Sequence, residues 1–95
     1  MPDIQLLQRA QAGDRAAIEE LFGREWRPIY GLIYRAVQNR SEAQDLTQEV
    51  FLRAFRSLDR YHDTGKPFHQ YLTTIALNLL RDRWRTRKPP SADLV

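Results

Sequence analysis

Apolar residues recur at every third or fourth position along most of this chain, and no stretch alternates with period two. That pattern predicts helices and no strand. Ile4, Leu7 and Ala10 share one side of a first helix from Asp3 to Ala12. Gly13-Asp14 breaks it, and Asp14 is placed to N-cap a second helix. The next series is Ala17, Ile18, Leu21, Phe22, Trp26, Ile29, Tyr30, Ile33, Tyr34 and Val37, all at helical spacings. Pro28 falls inside it and removes a backbone donor, so a kink or short break is expected near Trp26-Arg27. Asn39-Arg40-Ser41 reads as a turn, with Ser41 and Gln44 as a capping box opening a third helix that runs to about Leu58. A polar loop spans Asp59 to Lys66. Pro67 suits the first position of a fourth helix reaching about Arg87, and Pro89-Pro90 ends it. The predicted fold class is all-α, a compact bundle of about four helices.

The third and fourth helices each present two faces. On a wheel, Ala43, Leu46, Val50, Phe51, Ala54 and Leu58 form a core side of the third. Asp45, Gln48, Glu49, Leu52 and Arg56 gather opposite. A solvated surface and a docking surface are both open readings of that stripe. Leu52 tilts towards docking, because an aliphatic residue amid polar groups gains nothing unless something covers it. In the fourth helix, Phe68, Leu72, Ile75, Ala76 and Leu79 are the core side. A second stripe holds Tyr71, Thr74, Asn78, Arg81 and Arg85. An aromatic ring can stack on an unpaired base, an Asn amide can pair with a base edge, and guanidinium groups hold phosphates. The alternative makes Tyr71 a core residue and the arginines merely solvated.

Composition sharpens this picture little until position is considered. Lys and Arg number 15 against 12 Asp and Glu, a net charge of only +3. Arg81, Arg83, Arg85, Arg87 and Lys88 nevertheless crowd one short stretch with only Asp82 between them, and such a run repels itself unless a polyanion neutralises it. The 95 residues suffice for one domain with one modest core. The absence of cysteine excludes disulfides and thiolate metal sites and is compatible with a reducing cytoplasm. No apolar run approaches the roughly 20 residues of a bilayer span. A cytoplasmic protein is expected. His62 and His69 have no carboxylate set at metal-ligand spacing, so neither metal nor cofactor is expected. No nucleophile–base pair or phosphate loop appears, which points away from an enzyme. Trp26 and Trp84 read as core or half-buried, and Asp82 as the partner of an arginine such as Arg35 or Arg40.

Ala43-Gln44-Asp45-Leu46-Thr47-Gln48-Glu49-Val50-Phe51-Leu52-Arg53-Ala54-Phe55 resembles the second conserved region of bacterial sigma factors, the extracytoplasmic-function (ECF) group in particular. Upstream, Gly13-Asp14, Ala17, Leu21, Phe22 and Arg27-Pro28 are similar to the opening of that domain. Downstream, Phe68-His69-Gln70-Tyr71-Leu72 and Ile75-Ala76-Leu77-Asn78-Leu79, then Asp82 and a basic tail, resemble its promoter-reading helix. The likeness runs from about residue 12 to residue 88. The Asp-Leu-x-Gln-Glu-x-Phe core is specific when joined to Ile-Ala-x-Asn at this distance.

The resemblance implies a non-enzymatic subunit that binds the catalytic core of RNA polymerase and recognises and melts the promoter −10 element. Asp45, Gln48, Glu49, Leu52 and Arg53 would contact the coiled coil of the β′ clamp. Thr74, Ile75 and Asn78 would line the pocket of a flipped base on the single-stranded non-template strand. The loop from Tyr61 through His62 to Lys66 would close that pocket, Tyr71 would stack at the edge of the melted duplex, and Arg81 and Arg85 would hold the backbone. An anti-sigma factor is a further implied partner. Many family members have Trp where Tyr71 stands and Arg where Thr74 stands, which implies weaker stacking and one contact fewer in this chain. Residues 1–88 are expected to form the region-2-like domain and 89–95 the start of a linker, with the second domain that reads the −35 element absent.

Overall fold

The computed structural model describes residues 2–61 and 67–87. It comprises four α-helices and one short 3-10 turn: α1 (Pro2–Gln11), α2 (Arg15–Val37), α3 (Arg40–Arg56), the turn Leu58–Arg60, and α4 (Phe68–Arg87). No strand occurs among the described residues. The all-α expectation is met, with bounds close to those the periodicity implied.

The helix ends derive from local chemistry. Gly13 adopts φ +96°, a conformation a side chain disfavours, and turns the chain after α1. Asp14 then caps α2, its Oδ1 accepting from the Ala17 amide at 3.3 Å. Its other oxygen accepts from Arg9 Nε at 2.9 Å, clamping the turn. At the far end Gln38 sits at φ 55°, ψ 33°, and its amide donates to the Tyr34 carbonyl. Pro28 does not break α2, which runs as one helix from Arg15 to Val37. Pro28 is exposed, so its ring is accommodated on the solvent side, where water can satisfy the carbonyl left without a donor. The capping box at Ser41 is not used. Asn39, with extended backbone, accepts from the Glu42 amide at 2.9 Å and starts α3 a residue before Ser41. Pro67 stands just outside α4, its carbonyl accepting from the Gln70 amide.

Two apolar clusters hold the bundle. The larger joins α2, α3 and α4 through Ile29, Ile33, Val50, Phe51, Leu72 and Ala76, among others. The smaller packs Leu6, Leu7 and Ala10 of α1 on Ala17, Leu21 and Leu58. Leu58 is therefore not part of the third helix. It is buried beneath α1, because α3 ends at Arg56 and the 3-10 turn swings it there. Phe22 and Phe68 bridge the clusters, their rings stacked at 6.1 Å. Thr47 is the one buried polar side chain among the described residues, and its hydroxyl donates to the Ala43 carbonyl at 2.6 Å.

Helices α3 and α4 run antiparallel and are tied at both ends. Glu42, at the start of α3, pairs with Arg83 near the end of α4, both largely buried. Ser57, just past α3, bonds Tyr71 in the first turns of α4. Neither tie matches the expected pairing of Asp82 with Arg35 or Arg40. Asp82 instead receives Arg85 Nη2 at 2.6 Å, because it lies on the outer side of α4, one turn from that arginine. Trp84 is 54% exposed and Trp26 38%, so neither is a core residue, although Trp26 stacks on Phe51 at 5.3 Å.

Candidate functional site

On α3, Asp45, Gln48 and Leu52 are exposed, as the wheel implied, and Leu52 keeps 47% of its surface in solvent. Glu49 is half-buried, and its carboxylate accepts from Arg53 Nε at 3.0 Å. These two form one i, i+4 ion pair. The apolar part of the surface is larger than Leu52. Phe55, next along the helix, is 53% exposed, and Trp26 lies against Phe51 from α2. A groove of about 640 Å³ separates α2 from α3, lined by Trp26, Arg27, Tyr30, Arg40, Gln44 and Gln48. Phe55 was assigned to neither face of the third helix, and Trp26 was read as core or half-buried, so both were missed as part of the surface. The signal available was the seven-residue run from Val50 to Arg56, which holds more apolar side chains than one core face can bury.

On α4, Thr74, Asn78, Arg81 and Arg85 are exposed along one side. The Thr74 hydroxyl donates to the Gln70 carbonyl at 3.0 Å, leaving its oxygen able to accept. Asn78 and Arg81 have no side-chain partner among the described residues, so amide and guanidinium are available. Arg85 is shared with Asp82, which weakens its claim on phosphate. Ile75 is half-buried and packs on the core rather than standing in the stripe.

Tyr71 combines the two readings that pattern left open. It is half-buried, packs against the main core, and leaves part of its ring at the surface. Tyr61 lies 4.7 Å from it and Phe68 5.8 Å, while Tyr61 meets Phe68 edge-on at 88°. The Tyr61 carbonyl accepts from Gln11 Nε2 at 2.6 Å, fixing the chain where it leaves the 3-10 turn. His62 and Lys66 lie outside the described residues. His69 is turned away from the stripe, its Nδ1 2.5 Å from Glu25 of α2. Among the described residues no three His, Cys, Asp or Glu converge as a metal site. No described helix is long and apolar enough to cross a membrane.

One helix thus offers an apolar and acidic surface, and its antiparallel neighbour offers an amide, a hydroxyl and free guanidinium. The sigma-70 region 2 family matches residues 21–89, which contain both surfaces. The chain belongs to that family. Its relatives place it in the ECF branch. It is 37% identical to the RNA polymerase sigma-H factor of Pseudomonas aeruginosa, over 97% of this chain and 48% of that protein. It is 36% identical to the ECF RNA polymerase sigma factor BldN of Streptomyces coelicolor, over 90% of this chain and 32% of that one. A solved structure of an RsbN–BldN complex superposes with a TM-score of 0.76 at 35% identity, over 88% of this chain and 66% of that one. This ECF region-2 chain therefore spans about half or less of the length of these curated sigma factors.

Proposed function

We propose that this region-2 domain docks on core RNA polymerase through α3 and reads and holds open the promoter −10 element through α4. The observation that carries the reading is the pairing of two dissimilar outward faces on one antiparallel helix pair, tied at both ends by Glu42–Arg83 and Ser57–Tyr71. Asp45, Gln48, Leu52 and the Glu49–Arg53 pair meet the clamp coiled coil of β′, with Phe55 and Trp26 as apolar anchors. Thr74 and Asn78, with Ile75 beneath, receive a flipped base, Arg81 and Arg85 hold phosphates, and Tyr71 stacks at the duplex edge. His62 and Lys66 belong to the loop proposed to close over that base. Residues 1–88 act as the region-2 unit and 89–95 as the beginning of a linker.

Melting needs no chemical step. Flipping a base costs a few kcal/mol of stacking and pairing. A protein without a nucleotide cycle offsets that only by binding the single strand more tightly than the duplex, a shift of populations by differential affinity. No catalytic group, metal or cofactor takes part. The complex of the neighbour BldN with RsbN supports an anti-sigma factor as a further partner. The cytoplasm, where polymerase transcribes, is the compartment the role requires.

The test is binding of the chain to a library of short single strands with the preferred motif read out. Asn78→Ala is expected to weaken binding in a sequence-dependent way. Equal loss on every sequence would reduce α4 to a backbone binder. Free substitution of Tyr71, Asn78 and Arg81 without any loss would favour a pure protein-interaction bundle instead.

A further inference from the structure

The Ser57 hydroxyl lies between the Tyr71 phenol and two carbonyls of α3, the farther being that of Ala54 at 3.4 Å. It approaches the Arg53 carbonyl at 2.9 Å and meets the Tyr71 phenol oxygen. A hydroxyl carries one proton, and a carbonyl can only accept, so the Ser57 proton goes to Arg53. Tyr71 is then the donor to Ser57 Oγ. Ser57 is itself fixed, because it is the C-cap of α3 and its amide also donates to the Arg53 carbonyl. Three anchors converge on one half-buried ring: Tyr61 and Phe68 against it, and the last turn of α3 on its hydroxyl. A ring held only by apolar neighbours could tilt about its χ angles. A bond at the para hydroxyl fixes where the ring axis points, and the rings of Tyr61 and Phe68 limit rotation about that axis.

We infer that Ser57 is a positioning residue for promoter opening, orienting the Tyr71 ring that stacks on the edge of the melted duplex. This rests on the stacking role proposed for Tyr71. The arrangement also links the two faces. Arg53, whose carbonyl holds Ser57, has its side chain paired with Glu49 on the docking surface. The ring that meets DNA is thus set by the helix that meets polymerase.

The experiment measures affinity of the 95-residue chain for fork DNA, a duplex ending in the preferred single-stranded motif, and for the single strand alone. Ser57→Ala and Tyr71→Phe are each expected to weaken fork binding about fivefold, the worth of one net neutral hydrogen bond. Single-strand binding of Ser57→Ala stays nearly unchanged. The double variant should be no weaker than either single one, since both remove the same bond. Ser57→Thr keeps the hydroxyl and should keep the affinity, while Tyr71→Phe leaves the α3 cap intact and so separates positioning from loss of that cap. In a Tyr71→Trp background, where the indole has no hydroxyl to donate there, Ser57→Ala should have no effect. Wild-type fork affinity in Ser57→Ala, with Tyr71→Ala impaired, overturns the positioning role and leaves the function standing. Multiplying losses in the double variant overturn it likewise. If Tyr71→Ala and Asn78→Ala both bind fork DNA normally, the promoter-opening reading falls, and this inference with it.

Discussion

Asp14 shows how one side chain closes a turn. Its carboxyl is held below the usual carboxylate range, first by the hydrogen bond from Arg9 and then by that from the Ala17 amide. A carboxyl with a depressed folded pKa stabilises the fold above its unfolded value of 3.8 and loses that contribution as pH falls through the folded value. Asp14→Asn should therefore lower the melting temperature at neutral pH. The gap from wild type should narrow below about pH 4, checked by thermal melts across pH. Gln38 is the opposite case, a side chain in left-handed backbone at a helix end. Gln38→Gly should stabilise by about 0.5–1 kcal/mol, read from denaturant midpoints. Both effects are local. The Asp14 cap was legible from the sequence, whereas Asn39 displaced Ser41 because caps are chosen by backbone conformation, and one residue either way reads the same in a string.

At the scale of elements, the seam between α3 and α4 decides where the two surfaces lie. Glu42 and Arg83 are each about three-quarters buried, between the exposed and buried limits for ion pairs. Arg83→Met should cost roughly 1–2 kcal/mol, and exchanging both charges should recover part of it, as chemical denaturation of both variants and the wild type would show. Thr47 is buried on α3. Its hydroxyl bonds only a carbonyl of its own helix, so Thr47→Val should change stability by less than about 1 kcal/mol. Outside the seam, Leu52→Ala and Phe55→Ala should leave the melt intact and weaken capture of core polymerase. Loss of folding in either would place them in the core instead. The spacing that predicted these helices says nothing of which neighbour each meets. Asp82 was assigned a distant arginine on that basis and proved to hold Arg85 one turn away.

For the whole molecule, a net charge of +3 is too small to drive nucleic-acid binding, and the location of cations on α4 matters more. Arg81, exposed and without an ion pair among the described residues, should contribute one phosphate contact. Arg81→Ala should lower the slope of log affinity against log salt on single strands by about 0.7. Arg85→Ala should lower it less, since Asp82 already neutralises that group in part. A salt titration of the three proteins distinguishes these outcomes. If both variants keep the wild-type slope, α4 does not meet the backbone.

The helices, the two stripes on α3 and α4, and the family follow from the order of residues alone. Each depends on spacing along one helix, and a period of 3.6 residues is written into the order of residues. Packing between helices, in contrast, exposes Trp26 and Phe55 as well as Leu52, buries Leu58 under α1, and ties Tyr71 to Ser57. Those outcomes depend on which helices pack and at what register. An apolar residue is core or surface according to whether a neighbour covers it, and a tyrosine is free or fixed according to what stands opposite its hydroxyl.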